Sequence, residues 1–174
     1  MRRWKLAAGA AALLTVFGAA LVAQEHAHKP APPAPPPPAR HAMVTPDEVK
    51  WGPAPPSLPP GAQMAVLNGD PSVKGQPFVI RAKFSDGYRV PPHWHPTDEH
   101  LTILAGTLGV GLGEKFDPAQ GRELTAGSFA KMPKETRHFA WAKGETIIQV
   151  HGTGPFEVTY VNPADDPRRK SASQ

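Results

Sequence analysis

Residues 90–110 read VPPHWHPTDEHLTILAGTLGV. His93 and His95 stand one residue apart, Pro91, Pro92 and Pro96 stiffen the backbone around them, and Glu99 follows before an apolar run begins. In an extended chain, residues two apart point to the same face, so His93 and His95 project together and Trp94 turns away. If residues 96–98 form a tight turn, Glu99 opens the next antiparallel strand and reaches the same side. Two imidazoles and one carboxylate on one face, with space opposite, suit a divalent transition metal with open coordination positions. The prolines restrict the backbone beforehand, which lowers the entropy lost when the ligands are ordered.

A fourth candidate lies downstream in GSFAKMPKETRHFAW, residues 127–141. His138 shares its strand parity with Ala140 and Ala142, while Phe139 and Trp141 share the other. If the small residues line the pocket, His138 faces the metal and the aromatics pack behind it.

These two stretches resemble the two motifs of the cupins. The first motif, G-x5-H-x-H-x3-E-x6-G, is matched by Gly87, His93, His95, Glu99 and Gly106. The second, G-x5-P-x-G-x2-H-x3-N, is matched by Gly127, Pro133 and His138, with Glu135 in place of the glycine and Ala142 in place of the asparagine. The first departure bears on the turn geometry, and the second removes a polar group beyond the metal. The resemblance covers roughly residues 60–162. It implies an all-β fold, a double-stranded antiparallel β-barrel or jelly-roll, with His93, His95, Glu99 and His138 as ligands of one divalent metal ion. The body is also similar to small exported bacterial proteins with a single cupin domain.

The rest of the body agrees. Short β-rich runs, such as FVIRAKF (78–84), ETIIQVHG (145–152) and PFEVTYV (155–161), alternate with SDGY, DPAQG and AKGE. Such spacing predicts an antiparallel sandwich or barrel of six to eight strands. No apolar repeat of 3.6 residues persists over three turns in this part. Gln149 and His151 share a parity and are candidates to line the barrel and support the site. His100 points away from Glu99 and is expected on the sheet surface, and Arg81 and Lys83 on an outer face. The glycines of GTLGVGLG, residues 106–113, are expected to permit close approach rather than to cradle phosphate, because no lysine follows in the required place. Residues 43–63 are proline-rich and are expected to wrap the outside, with Trp51 as a plug.

The chain has no cysteine, which excludes disulfides, thiolate metal sites, cysteine nucleophiles and a lipid-anchoring cysteine. It begins MRRWKLAAGAAALLTVFGAALVAQ, a basic head followed by an apolar run to Ala23 with small residues near its end. That is the layout of a signal peptide, residues 1–23, and implies an exported protein, periplasmic or secreted. The alternative is an uncleaved membrane anchor facing outside, since the run is near the minimum that spans a bilayer. Residues 24–42 hold seven prolines between Pro30 and Pro38 and read as a semi-rigid spacer. His26, His28 and His41 flank them, as ordinary spacer residues. The cupin domain is expected over 43–163 and a disordered tail over 164–174. Five of the 19 Lys/Arg and one of the 15 Asp/Glu lie in residues 1–42, so the remainder carries 14 of each. A neutral body with dispersed charge offers no footprint for nucleic acid.

The ligand set is compatible with iron, manganese, nickel, copper or zinc. The imidazoles must be neutral to bind, so affinity should fall below about pH 6. Many cupins with this ligand set are dioxygenases or isomerases, which makes a metal-dependent enzyme acting on a small oxygenated molecule the first expectation. A non-catalytic metal-stabilised ligand-binding or sensing module is the alternative. Small-molecule partners and a homodimer built by strand pairing follow from the same resemblance.

Overall fold

The computed structural model describes residues 41–171. The expected signal peptide, nearly all of the proline spacer with His26 and His28, and residues 172–174 lie outside the described residues. Among the described residues no helix is long and apolar enough to cross a membrane.

Nine strands form one antiparallel sheet that curls on itself. They are β1 (Gly52–Pro53), β2 (Gln63–Asn68), β3 (Pro77–Phe84), β4 (Arg89–Trp94), β5 (Glu99–Leu112), β6 (Arg122–Thr125), β7 (Phe129–Met132), β8 (His138–Thr153) and β9 (Thr159–Tyr160). The excess over the expected six to eight comes from β1 and β9, which are two residues each.

Two long strands organise the barrel. β5 and β8 pair along almost their whole length, from His100↔His151 to Leu112↔His138. On its other edge β8 changes partner: its first half pairs β4, with His93 opposite His138, and its second half pairs β3, from Phe84↔Thr146 to Pro77↔Thr153. The AKGE segment, read from sequence as a turn, lies inside this continuous strand. The ladder instead slips there, from Thr107↔Lys143 to Ala105↔Ile147. Thr146, fully buried, fills the slip: its hydroxyl lies 3.0 Å from the Thr107 carbonyl and accepts the Thr107 N–H at 3.3 Å. Opposite, Gly106 has φ +72°, and any Cβ there would collide with the Glu145 carbonyl. The motif glycine therefore marks a bulge at which both strands bend, which lets one sheet close on itself.

Strict alternation builds the core. Phe78, Ile80, Ala82 and Phe84 of β3 are buried at every second position, and Leu101, Ile103, Leu108 and Val110 of β5 face them with Ile148 and Val150 of β8. Burying one such side chain contributes about 1.5–3 kcal/mol. The outer face of β5 carries a second, smaller cluster. Gly109 and Gly111 are the register partners of Trp141 and Phe139, and the two rings lie over the bare glycine backbone with Phe116 packed 5.0 Å from Phe139. The close approach expected of these glycines is thus made by aromatic side chains of the neighbouring strand.

Two expectations about the ends differ. Residues 55–58 do not simply wrap the outside; they lie against the barrel interior, tethered by Tyr88, whose hydroxyl donates to the Pro59 carbonyl at 2.6 Å, and by Tyr160, which donates to the Ser57 carbonyl at 2.8 Å. Trp51 instead sits under the Lys83 ammonium, 4.6 Å from its ring centre. Residues 164–171, expected as part of a disordered tail, carry a turn and a short helix, Pro167–Ser171. They are held because the Arg168 guanidinium pairs with both oxygens of Asp166 and donates to the Val158 carbonyl at 3.0 Å.

A Cβ on Gly109 would overlap the Trp141 indole. Gly109→Ala is expected to destabilise the barrel by about 1–3 kcal/mol, read as a lower urea midpoint. An unchanged midpoint would show that the aromatic cover contributes little.

Candidate metal centre

His93 is the second-last residue of β4, His95 lies one residue beyond its end, Glu99 opens β5 and His138 opens β8. The 95–98 turn and the β4–β8 register bring all four to one end of the barrel interior. They are 5, 4, 7 and 3 % exposed, so all four are buried. One ring nitrogen from each histidine lies within 4.8 Å of the others. Glu99 Oε2 stands 3.3 Å from His138 Nε2 and 3.7 Å from His95 Nε2. The structure therefore brings together all four of the residues expected from the sequence.

The opposite nitrogens are already committed. His93 Nδ1 donates to the Pro91 carbonyl at 2.8 Å, His138 Nδ1 to the Thr136 carbonyl at 2.9 Å, and His95 Nδ1 to the Glu157 carbonyl at 2.7 Å. A carbonyl can only accept, so each imidazole carries a proton on Nδ1 and, when neutral, turns the Nε2 lone pair inward. His93 and His138 use the same local device, the carbonyl two residues earlier. His95 is held from a distance, with its ring also stacked 4.2 Å from Phe156. The sequence held no signal for Phe156 or Glu157 as supports.

Two further contacts lock the motifs together. The Glu135 N–H donates to the His95 carbonyl at 2.8 Å, and Asp98 accepts the Lys134 N–H at 2.9 Å while pairing with Lys131 at 2.8 Å. Glu135 occupies the motif's glycine position and has φ 62°. The turn keeps its left-handed geometry although the side chain opposes it.

The interior is electrostatically tense. Burial, then the neighbouring His138 and His95, push the His93 imidazole down from 6.5 to about 3. Burial also lowers His95, against the attraction of Glu99. For His138 burial acts downward too, but contact with Glu99 outweighs it and the net shift is upward. For Glu99 burial acts upward and is outweighed by the His138 contact and the surrounding imidazoles, which bring it from 4.5 to about 2. Glu99 is thus ionised, and His93 and His95 are neutral.

Glu99 Oε2 and His95 Nε2 are nonetheless buried without a hydrogen-bond partner. Each such atom costs about 1–3 kcal/mol. A divalent cation among three inward lone pairs and a carboxylate relieves that cost, so these residues fit a metal ion. Above the site lies a cavity of about 110 Å³ with a nearly all-apolar wall that includes Ile80, Leu108, Ile148 and Val150.

Gln149 and His151 do not line this cavity. They share the outward parity of β8, because the apolar Ile148 and Val150 take the inward one. Gln149 instead accepts the Arg81 Nε–H at 3.2 Å, and His151 stacks on His100 at 5.1 Å. His100 is on the outer surface, as its parity indicated. Ala140 lines the cavity beside His138, while Phe139 and Trp141 pack behind.

A family model described as "Domain of unknown function (DUF4437)" matches residues 42–172. No curated protein matches the chain. Among solved structures, the chain resembles the polyketide cyclase RemF from Streptomyces resistomycificus, with 18% identity and a TM-score of 0.55 over 76% of this chain and 94% of that one. A putative acetylacetone dioxygenase from Methylibium petroleiphilum PM1 gives 19% identity and 0.56 over 75% and 88%. An RmlC-like cupin from Shewanella frigidimarina NCIMB 400 gives 15% identity and 0.51 over 66% and 91%. At these identities the likeness is one of fold.

Two outcomes follow from the site. Glu135→Gly is expected to raise stability by about 1 kcal/mol, because only the side chain penalises its left-handed backbone; an equal or lower denaturant midpoint would contradict this. The depressed His93 and His95 bind protons more readily unfolded than folded. The ion-free protein should therefore lose stability as pH falls from 6.5 towards about 3. A denaturation series across that range checks the slope, and His93→Gln should flatten it.

Proposed function

We propose a function for this chain, which belongs to the DUF4437 family and has the cupin fold, as a mononuclear metal-dependent enzyme of oxygenase or isomerase type acting on a small oxygenated molecule. The observation that carries this reading is the convergence of three inward Nε2 atoms and an ionised Glu99, with every Nδ1 already spent, at the end of a mostly apolar cavity. His93, His95, Glu99 and His138 would hold the ion, which is iron, manganese, nickel, copper or zinc. When bound, the ion supplies Lewis-acid polarisation and open coordination positions. The chain's own residues do the rest: the carbonyls of Pro91, Thr136 and Glu157 fix the imidazoles, Phe156 holds the His95 ring, and the apolar wall excludes water and orients the reacting end towards the four ligands. The solved structures include a protein titled a putative dioxygenase and one titled a cyclase, both of this fold, which is compatible with catalysis.

A non-catalytic ligand-binding or sensing module is a second reading, and one observation favours it. The phenols of Tyr88 and Tyr160 are engaged in tethering residues 57–59, and among the described residues no acid or base outside the ligand set lines the cavity. Export to the periplasm or the medium, from the composition of residues 1–23, is part of the proposal. So is a homodimer built by strand pairing.

Elemental analysis of the purified protein is expected to find one transition-metal ion per chain, and oxygen uptake or product analysis with small phenols, thiols and keto acids to find turnover. His138→Ala should abolish both turnover and stoichiometric metal. At a free-ion concentration about a hundredfold above Kd the wild type should gain ~2.7 kcal/mol of stability. Metal without turnover on any compound moves the weight to the second reading. A folded protein that retains no ion, and gains no stability from any of the five, overturns both.

A further inference from the structure

We infer that the cavity takes a compact molecule with a single oxygen-bearing end and an otherwise apolar, uncharged body. The oxygen-bearing end rests on the metal-centre reading; the body is argued from the wall alone.

Outside the four ligands, Ser57 carries the one polar side chain among the described residues that line the cavity. Met64, Ile80, Leu108, Ile148, Val150 and Phe156 make up much of the rest. The neighbouring polar groups, including Gln149 and His151, which the sequence offered for the interior, are engaged elsewhere. Arg81 and Gln149 bond each other on the outer face. His151 stacks on His100 there. Tyr88 and Tyr160 spend their hydroxyls on backbone carbonyls of the 57–59 segment. A second charged or strongly hydrogen-bonding group on a bound molecule, away from the metal end, would therefore lose its water without replacement. Desolvation of that kind reads out as at least about a tenfold loss of affinity per group.

The charge at the metal end sets a complementary limit. A divalent ion beside one ionised carboxylate leaves one net positive charge, enough for a single anionic oxygen donor and no more. Size sets a third. The cavity of about 110 Å³ is of the same order as the ~150 Å³ apolar cavity that admits benzene, and with the oxygen-bearing end seated among the four ligands the molecule has on the order of five to seven non-hydrogen atoms. Pro55 and Leu58 complete the wall on one side, and the two tyrosine tethers hold that side in place.

The test uses the full folded protein, with its metal content measured in the same preparation. Binding of phenol, isobutyrate, malonate and glycerate is followed by calorimetry and by the methyl NMR signals of Ile80, Ile148 and Val150. Phenol and isobutyrate are expected to bind at least tenfold more tightly than malonate and glycerate, and phenol to shift those three methyl signals. Malonate or glycerate binding as tightly as isobutyrate, or phenol binding with no shift at those methyls, overturns the inference. The same titrations on chelator-treated protein separate the two readings. Loss of isobutyrate binding with phenol still shifting the methyls confirms the wall and assigns the oxygen end to the ion. A preparation that holds no ion and gains no stability from any of the five metals defeats the metal-centre reading, and its phenol titration still decides the wall.

Discussion

The antiparallel insertion of β8 between β4 and β5 is the constraint from which the site follows. Its register sets His138 directly opposite His93, so candidate ligands 45 positions apart in the chain meet as cross-strand neighbours. The same strand then crosses the Thr146 bulge and continues beside β3. One strand thus joins the metal end of the barrel to its apolar core. The bulge is what makes this possible, because a straight strand of that length could not follow a closing sheet.

The site combines opposed requirements. Ligation needs neutral imidazoles with fixed orientation, and burial supplies the first by penalising the cation. Orientation comes from three backbone carbonyls, which have no other role that a sequence could announce. Glu99 stays ionised in the same buried space because the imidazoles surround it. With two buried atoms lacking partners, the ion-free arrangement is poised for a cation rather than satisfied without one. The surrounding wall then separates the ligand set from competing water and leaves few polar groups to contribute to chemistry.

Much of this was legible from residue spacing. His93 and His95 two apart, Glu99 after a short turn and His138 between small residues of its own parity are local patterns, and strand periodicity translates them directly into direction. Gln149 and His151 show where that reasoning stops. Their shared parity was equally clear, but parity leaves open which side of a strand faces inward. Ile148 and Val150 decided it, since apolar side chains gain more from leaving water. Glu135 shows a different limit: the departure from glycine at that position suggested an altered turn, yet the hydrogen bond to the His95 carbonyl and the surrounding loop hold the left-handed conformation.

The amino-acid sequence by itself determined the all-β class and the identity of the four ligand candidates, because alternation and turn chemistry act over a few residues. Only the tertiary structure decided that AKGE lies within a strand, that residues 55–58 close over the interior, that the tyrosines serve as tethers, and that the Glu157 carbonyl and Phe156 ring position His95. Each of those depends on pairing across distant segments, where the register of the sheet and the exclusion of water from its concave face choose among arrangements that are locally equivalent.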